Sequence, residues 1–199
     1  DLVLAAFKIF HARHPDSMLV TTWQNPWGET VRGMAQSNHV AIPPKLDDGG
    51  NVMITNWALE NGLPPTSFID LGWVANSRMP AILREADVAL FPNRCEGGTN
   101  LAAMEAMAAG TPCILSANTG HLDLIEGDNC YALQKQSPDP SGINYWCQSD
   151  IDEIVEKLEQ AYGDREERKR RGDLGAAFMK TLSWEIQVGQ LISEIEDLL

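Results

Sequence analysis

The chain has 199 residues, is 44% hydrophobic and 22% charged, and carries a formal net charge of −13. That length and composition suit one soluble globular domain with a sizeable core. The acidic balance argues against nucleic acid as the main partner, since phosphate backbones are gripped by Lys and Arg. It argues equally against adsorption to an anionic membrane surface. No apolar run approaches the roughly 18 residues that read as a membrane span, and no signal-peptide pattern opens the chain, so no direct membrane insertion is expected. Cys95, Cys113, Cys130 and Cys147 contain no Cys-x-x-Cys pair. They read as free thiols of a reducing cytoplasm, with no metal site. The opening at Asp1, which runs straight into an amphipathic pattern, reads as the start of a piece of a longer protein.

In chain order, residues 1–13 predict a helix with Leu2, Leu4, Ala5, Ile9 and Phe10 as its buried stripe. Met18 to Trp23 predicts a strand. Between Gln24 and Gly50 the pattern offers a helix near Glu29–Ser37 and an apolar run at His39–Ile42, broken by Pro43 and Pro44. Residues 51–62 read as a helix ended by Gly62 and Pro64. Ser67 to Leu71 is a strand, 77–86 a helix, and Asp87 to Phe91 an almost wholly apolar strand. A Gly-rich turn, Glu96 to Asn100, opens an Ala-rich helix from Leu101 to Ala109, stopped by Gly110 and Pro112. Cys113 to Ser116 is a buried strand, Leu122–Glu126 a short helix, and Tyr131–Leu133 a strand. Residues 134–149, rich in Pro, Ser and Gly, read as a loop, and the rest as helix. Ile151, Ile154, Val155, Leu158 and Tyr162 recur at helical spacing, as do Val188, Leu191, Ile192, Ile195 and Leu199. The charge run Asp164 to Arg171 reads as a solvated helix segment. Strands alternating with helices predict an α/β fold with a parallel sheet covered on both faces.

In such a sheet ligands bind beyond the carboxyl ends of the strands, at helix N-termini. The best candidate is therefore the strand 87–91, its turn and the helix after it. Gly97 and Gly98 leave the backbone open to a ligand. Thr99 or Asn100 can cap the helix while other N–H groups point outward, toward an anion such as a diphosphate. Ala102, Ala103, Ala106, Ala108 and Ala109 let the helix lie close to the sheet. Glu96 in the turn and Glu105 inside the helix bracket this element, and a carboxylate can accept hydrogen bonds from two hydroxyls of a ribose or sugar.

The run Phe91-Pro92-Asn93, Glu96-Gly97-Gly98, Leu101, Glu105-Ala106-Met107-Ala108 and Gly110-Thr111-Pro112 resembles the signature of the GT-B family of retaining glycosyltransferases that includes sucrose and glycogen synthase relatives. The family separates its two glutamates by seven residues, whereas eight lie between Glu96 and Glu105 here, and the extra one is expected in the turn near Thr99 and Asn100. Leu71-Gly72-Trp73-Val74 resembles the segment whose backbone meets the nucleotide base. Asn118 to Asp123 resembles the Gly-rich turn after the next strand, with Asp123 where the family usually has Glu.

The resemblance implies a Rossmann-like doubly wound parallel sheet, one domain over 1–199 with C-terminal helices from about 150, forming the C-terminal, donor-binding half of a GT-B enzyme. It implies that Glu105 binds the ribose of a UDP- or GDP-sugar and that Glu96 contacts the donor sugar as the catalytic carboxylate. The amides around Gly98, Thr99, Asn100 and Leu101 would meet sugar and diphosphate. No cofactor or metal is implied. The family places a basic Arg and Lys pair ahead of the first helix of this domain and the acceptor site in an N-terminal Rossmann-like domain, so the chain alone is expected to have little or no transferase activity.

Two alternatives stay open: a GT-B-like sugar-nucleotide epimerase, and a non-catalytic Rossmann-like regulatory or interaction domain. A two-carboxylate hydrolase has no other support, and no Gly-x-Gly-x-x-Gly opens a strand–helix unit as a dinucleotide dehydrogenase needs. His11 and His14 read as residues of a solvated helix, and His121 as a loop histidine. Arg94 reads either as a surface residue or as one that steers phosphate. The six tryptophans read as packing residues.

Overall fold

Which way successive residues face along three short strands decides the architecture. The computed structural model describes residues 1–24 and 26–197. In it all four residues of the central strand, Cys113–Ser116, are buried. We number the strands in chain order: β1 (Leu19–Thr21), β2 (Phe68–Asp70), β3 (Ala89–Phe91), β4 (Cys113–Ser116), β5 (Tyr131–Leu133), β6 (Gln136–Pro138) and β7 (Cys147–Ser149). The helices are α1 (Leu2–Arg13), α2 (Ile54–Glu60), α3 (Met79–Glu85), α4 (Leu101–Ala108), α5 (Ile151–Gly163), α6 (Arg165–Thr181) and α7 (Trp184–Glu196).

β3, β4 and β5 form a parallel sheet in that order, with Leu90 opposite Ile114 and Leu115 opposite Ala132. Leu90, Ile114, Tyr131 and Leu133 join the core made with α1, α2 and α5. Ala89, Phe91, Cys113, Leu115 and Ala132 join the other, made with α3, α4 and α6. Alternate side chains thus feed two cores, which is why these strands carry no polar alternation. β1 and β2 form a second parallel pair with Val20 opposite Ile69. Leu19 and Phe68 join the first core, while Val20 and Ile69 stay 47% and 42% exposed on the other face.

The helix ends follow ordinary capping chemistry. Asp150 accepts from the Glu153 N–H at 2.9 Å and starts α5, and Asp164 accepts from the Glu167 N–H at 2.9 Å and starts α6; each such cap contributes about 1 kcal/mol. Gly110, with φ +82°, ends α4 where the sequence predicts it. Its carbonyl lies so near Gly172 of α6 that a Cβ there would fall 2.3 Å away, so α6 crosses at this point only because it has no side chain.

Several expectations change. Residues 136–138 and 147–149 form an antiparallel hairpin within the segment read as loop, because the Cys147 N–H donates to the Arg94 carbonyl at 2.9 Å and pins the returning strand to the chain after β3. The stretch near 29–37 is a 3-10 helix, Gly28–Gln36. His39–Ile42 forms no strand, since its backbone is held by side chains of and after α2. Asn61 Oδ1 accepts from the Ala41 and Ile42 N–H groups, and Asn61 Nδ2 and Trp57 Nε1 donate to the Ile42 carbonyl. In α1 the buried residues are Leu2, Leu4, Ala6, Phe7 and Phe10, while Ile9 is exposed.

The charged run at the start of α6 is a latch rather than a free face. Arg168 pairs with Asp87 at 2.8 Å, Arg170 with Asp128 at 3.1 Å, and the Arg171 guanidinium stands 4.5 Å above the Tyr131 ring. The apolar stripe of α7, Val188, Leu191, Ile192 and Ile195, is exposed; Leu199, read as part of that stripe, lies outside the described residues. No helix among the described residues is long and apolar enough to cross a membrane.

Leu115→Ala, which empties the centre of the second core, is expected to cost about 2–5 kcal/mol. Val20→Thr, on the uncovered face, should change stability by no more than about 0.5 kcal/mol. Urea unfolding of the two variants measures both.

Candidate functional site

The chain leaves β3 at Phe91, turns through residues 92–100 and enters α4. Asn100 organises the turn. Its Oδ1 accepts from the Ala103 N–H at 3.0 Å and so caps α4. This fixes the amide the other way up, with Nδ2 3.1 Å from Glu96 Oε1 and 3.0 Å from His121 Nε2. Asn93 Nδ2 donates to the same Glu96 oxygen. Glu96 is therefore held by one carboxylate oxygen, and nothing among the described residues bonds the other.

Behind this turn stands the segment that follows β4. Thr119 Oγ1 accepts from the Glu96 N–H at 2.8 Å, and the Gly120 N–H donates to the Glu96 carbonyl at 3.3 Å. Asn118 Nδ2 donates to the Asn93 carbonyl at 3.0 Å. Thr119 sits at φ +39°, in the left-handed region that favours glycine. A Cβ on Gly120 would fall 1.4 Å from the Gly98 carbonyl oxygen, so no other residue fits there. His121 is fully buried, with Nδ1 3.2 Å from the Ser116 carbonyl. Burial pushes its imidazole below the ordinary histidine range, partly offset by the Ser116 carbonyl. It is thus no ordinary loop residue, and only folding, which carries Ser116–His121 under the turn, makes that visible.

The front of the turn is bare. A Cβ on Gly97 or Gly98 would meet nothing within 4 Å. Thr99 is half-buried, and Leu101 is 71% exposed. The Leu101 and Ala102 N–H groups, at the start of α4, find no acceptor among the described residues. Glu105 stands one turn further, about 6 Å along the axis from Leu101. Its exposed side chain makes no hydrogen bond or ion pair among the described residues, and it lines an open cleft of about 370 Å³ with Asn76, Ser77, Pro80, Leu83, Arg84, Ala108 and Ala109.

Gly72, Trp73 and Val74 lead into that cleft without lining it. Gly72 turns the chain at φ +63° and Trp73 is 63% exposed. The sequence reading missed Asn76, Ser77 and Arg84; the position of Asn76 and Ser77 just after the Gly-Trp-Val run is the signal that could have found the first two, while Arg84 comes from α3. α4 runs unbroken from Leu101 to Ala108, with Glu105 inside it and Glu96 in the turn ahead of it.

Arg94 is not free to steer phosphate. Its guanidinium holds Asp1 through two hydrogen bonds of 2.9 and 2.6 Å, Asp139 at 2.6 Å and Gln148 at 2.9 Å. Burial works against the charged form of Asp139, but hydrogen bonds from Ser141 and Arg94 outweigh it and hold that carboxyl below its usual range. A second open cleft, of about 400 Å³, lies alongside and is lined by His39, Lys135, Gln148 and Asp152 among others. His14 is not solvated either: it pairs with Glu159 at 2.7 Å and packs between Phe10 and Tyr162. Of the tryptophans Trp57 is buried and Trp23 packs on it, whereas Trp27, Trp73 and Trp184 are largely exposed. All four cysteines are free thiols; burial pushes Cys130 up to about 12 and Cys113 higher still.

A parallel sheet wound on both faces, with a capped helix N-terminus and a glycine turn beyond the central strands, is the frame of a Rossmann-like domain. Residues 49–164 match the family described as Glycosyl transferases group 1, and the chain belongs to that family. It is 29% identical over 124 residues to an MMP alpha-(1->4)-mannosyltransferase of Mycolicibacterium hassiacum; the match takes in 62% of this chain and 27% of that relative's length. Among solved structures it resembles the C-terminal domain of a group 1 glycosyl transferase, LpcC, from Francisella tularensis (TM-score 0.58, 18% identity, covering 90% of this chain and 76% of the other). It also resembles HepE of Anabaena in complex with UDP and glucose (TM-score 0.59, 16% identity, 98% of this chain, 44% of the other). Sucrose-phosphate synthase from Thermosynechococcus elongatus is similar at TM-score 0.61 and 19% identity, over 96% of this chain and 49% of that one. The fold is that of a GT-B domain.

Gly120→Ala should lower the melting temperature far more than Gly97→Ala, because only the former drives a methyl into a carbonyl; thermal unfolding compares them. His121 has a folded pKa below its unfolded value. The stability linked to its neutral form is therefore complete above about pH 6.5 and is lost as the pH falls through the folded pKa. Its ring proton resonances, followed by NMR, should titrate with a midpoint below about pH 6.5.

Proposed function

We propose that this chain is the donor-binding domain of a retaining, metal-independent cytoplasmic glycosyltransferase, of hexosyltransferase type, that moves a sugar from a UDP- or GDP-sugar to an acceptor. One observation carries the reading: the turn 96–100 is braced by the hydrogen-bonded side chains of Asn93, Thr119 and His121 and left bare in front, with one Glu96 oxygen unpaired and no contact for a Cβ on Gly97 or Gly98 among the described residues. A ligand approaching the backbone supplies the missing reason for those glycines.

In this reading Glu105 grips the ribose diol from the cleft wall, and the turn before Asn76 receives the base through the backbone of Gly72, Trp73 and Val74. Gly97, Gly98, Thr99, Asn100 and Leu101 line the diphosphate and sugar with their amides. Glu96 touches the transferred sugar with its free oxygen. As the bond to the nucleoside diphosphate breaks, negative charge grows on the leaving phosphate, and preorganised N–H groups at the start of α4 stabilise it. The acceptor is held by an N-terminal Rossmann-like domain of the same protein, so this chain alone binds donor weakly and turns over little or none. The relatives support that division: HepE is matched over nearly the whole of this chain but only about half of its own.

Calorimetry with UDP-glucose, GDP-mannose and ADP-glucose tests donor binding. One of the first two is expected to bind, and Glu105→Ala should weaken it by about 10- to 100-fold through lost charged hydrogen bonds. Gly98→Ala should abolish binding while leaving the fold intact. Silence with all three sugars would favour a regulatory domain, and robust turnover by this chain would remove the need for a partner domain.

A further inference from the structure

We infer that His121 is a positioning residue for the donor turn: a buried, neutral imidazole protonated on Nδ1, whose bare Nε2 fixes Asn100 and through it the orientation of Glu96. The inference deepens the donor-site reading and rests on it for the role of Glu96, but the hydrogen-bond directions stand on the geometry alone.

Those directions follow from counting protons. Asn100 Oδ1 faces the Ala103 N–H at 3.0 Å, and a flipped amide would set NH2 against N–H there and oxygen against the Glu96 carboxylate. The amide nitrogen therefore faces Glu96 and His121. An amide NH2 only donates, so His121 Nε2, at 3.0 Å, accepts and carries no proton. The ring's one proton is then on Nδ1, and there it meets the Ser116 carbonyl at 3.2 Å, which only accepts. A single arrangement pairs each donor with an acceptor from the Ser116 carbonyl through His121 and Asn100 to Glu96 Oε1.

The consequence for Glu96 is rotational. Its Oε1 receives two NH2 groups, from Asn93 and Asn100, and the second is aimed by two tethers, the Ala103 N–H on Oδ1 and His121 on its other hydrogen. Remove the acceptor at Nε2 and Asn100 keeps one hydrogen unpaired in a site 7% exposed. The amide then either rotates and loses the cap of α4, or stays with an unsatisfied donor. Either way the carboxylate loses its fixed plane, and its free oxygen no longer points one way.

Two measurements decide it. Long-range 1H–15N imidazole spectra of the 15N-labelled chain at pH 7.5 should show His121 protonated on Nδ1 and bare on Nε2; the opposite tautomer, or an imidazolium, overturns the inference without touching the donor-site reading. His121→Leu, which keeps bulk but removes the acceptor, should weaken binding of whichever of UDP-glucose or GDP-mannose the chain takes by about tenfold. His121→Gln, which restores an acceptor near Nε2, should bind within about threefold of the unchanged chain. Equal affinity in the leucine variant overturns the inference. If the unchanged chain binds neither sugar, the donor reading falls alone, and the readout becomes the Asn100 side-chain NH2 resonances. These should move in His121→Leu and return in His121→Gln; no movement in the leucine variant overturns the positioning role.

Discussion

Gly120 and Gly98 belong to separate strand–turn units, yet their backbones lie so close that a single methyl on Gly120 would overlap the Gly98 carbonyl oxygen. That contact fuses the two turns beyond β3 and β4 into one body. Everything at the candidate site hangs on it. The Glu96 backbone is bonded across it to Thr119 and Gly120, and His121 reaches Asn100 only because Gly120 lets the two segments meet. Polar groups buried without partners would be costly in such a place. The network is nearly closed, with Asn100 spending its carbonyl on α4 and its amino group on Glu96 and His121.

The strong parts of the fold were legible where one physical signal dominated. The apolar run of β3 ends at Pro92 and that of β4 begins after Pro112, and the Asn100 cap with Gly110 at the far end delimits α4. The hairpin β6–β7 was not legible, because its composition says loop and its pairing is set by the carbonyl of a residue some fifty positions earlier, Arg94. The fate of Arg94 was hidden for the same reason: charge is written in sequence, but the carboxylates that neutralise it, Asp1 and Asp139, come from distant segments. Glu96 and Glu105 could be singled out from their placement around the glycine turn and from the family resemblance. That one is half-tethered and the other unpaired in an open cleft is a fact of packing.

His121 illustrates the limit most sharply. In sequence it is a polar residue in a Gly-containing turn, where exposure is the ordinary outcome. In the fold it is among the most buried side chains of the molecule, because the turn lies under the neighbouring one instead of over solvent.

The capture of Arg94 by two carboxylates has a consequence for how an anion would reach this surface. The loop's own guanidinium is neutralised, and the chain as a whole is strongly acidic. Attraction at the turn would therefore come from peptide dipoles, which act over a few ångströms, while the long-range field of the chain pushes anions away. Added salt shortens the reach of that repulsion to about 10 Å at 0.1 M and weakens the dipolar grip less, because that grip acts within a few ångströms. Encounter with a diphosphate would then quicken as ionic strength rises, the reverse of the behaviour of sites built from lysine and arginine.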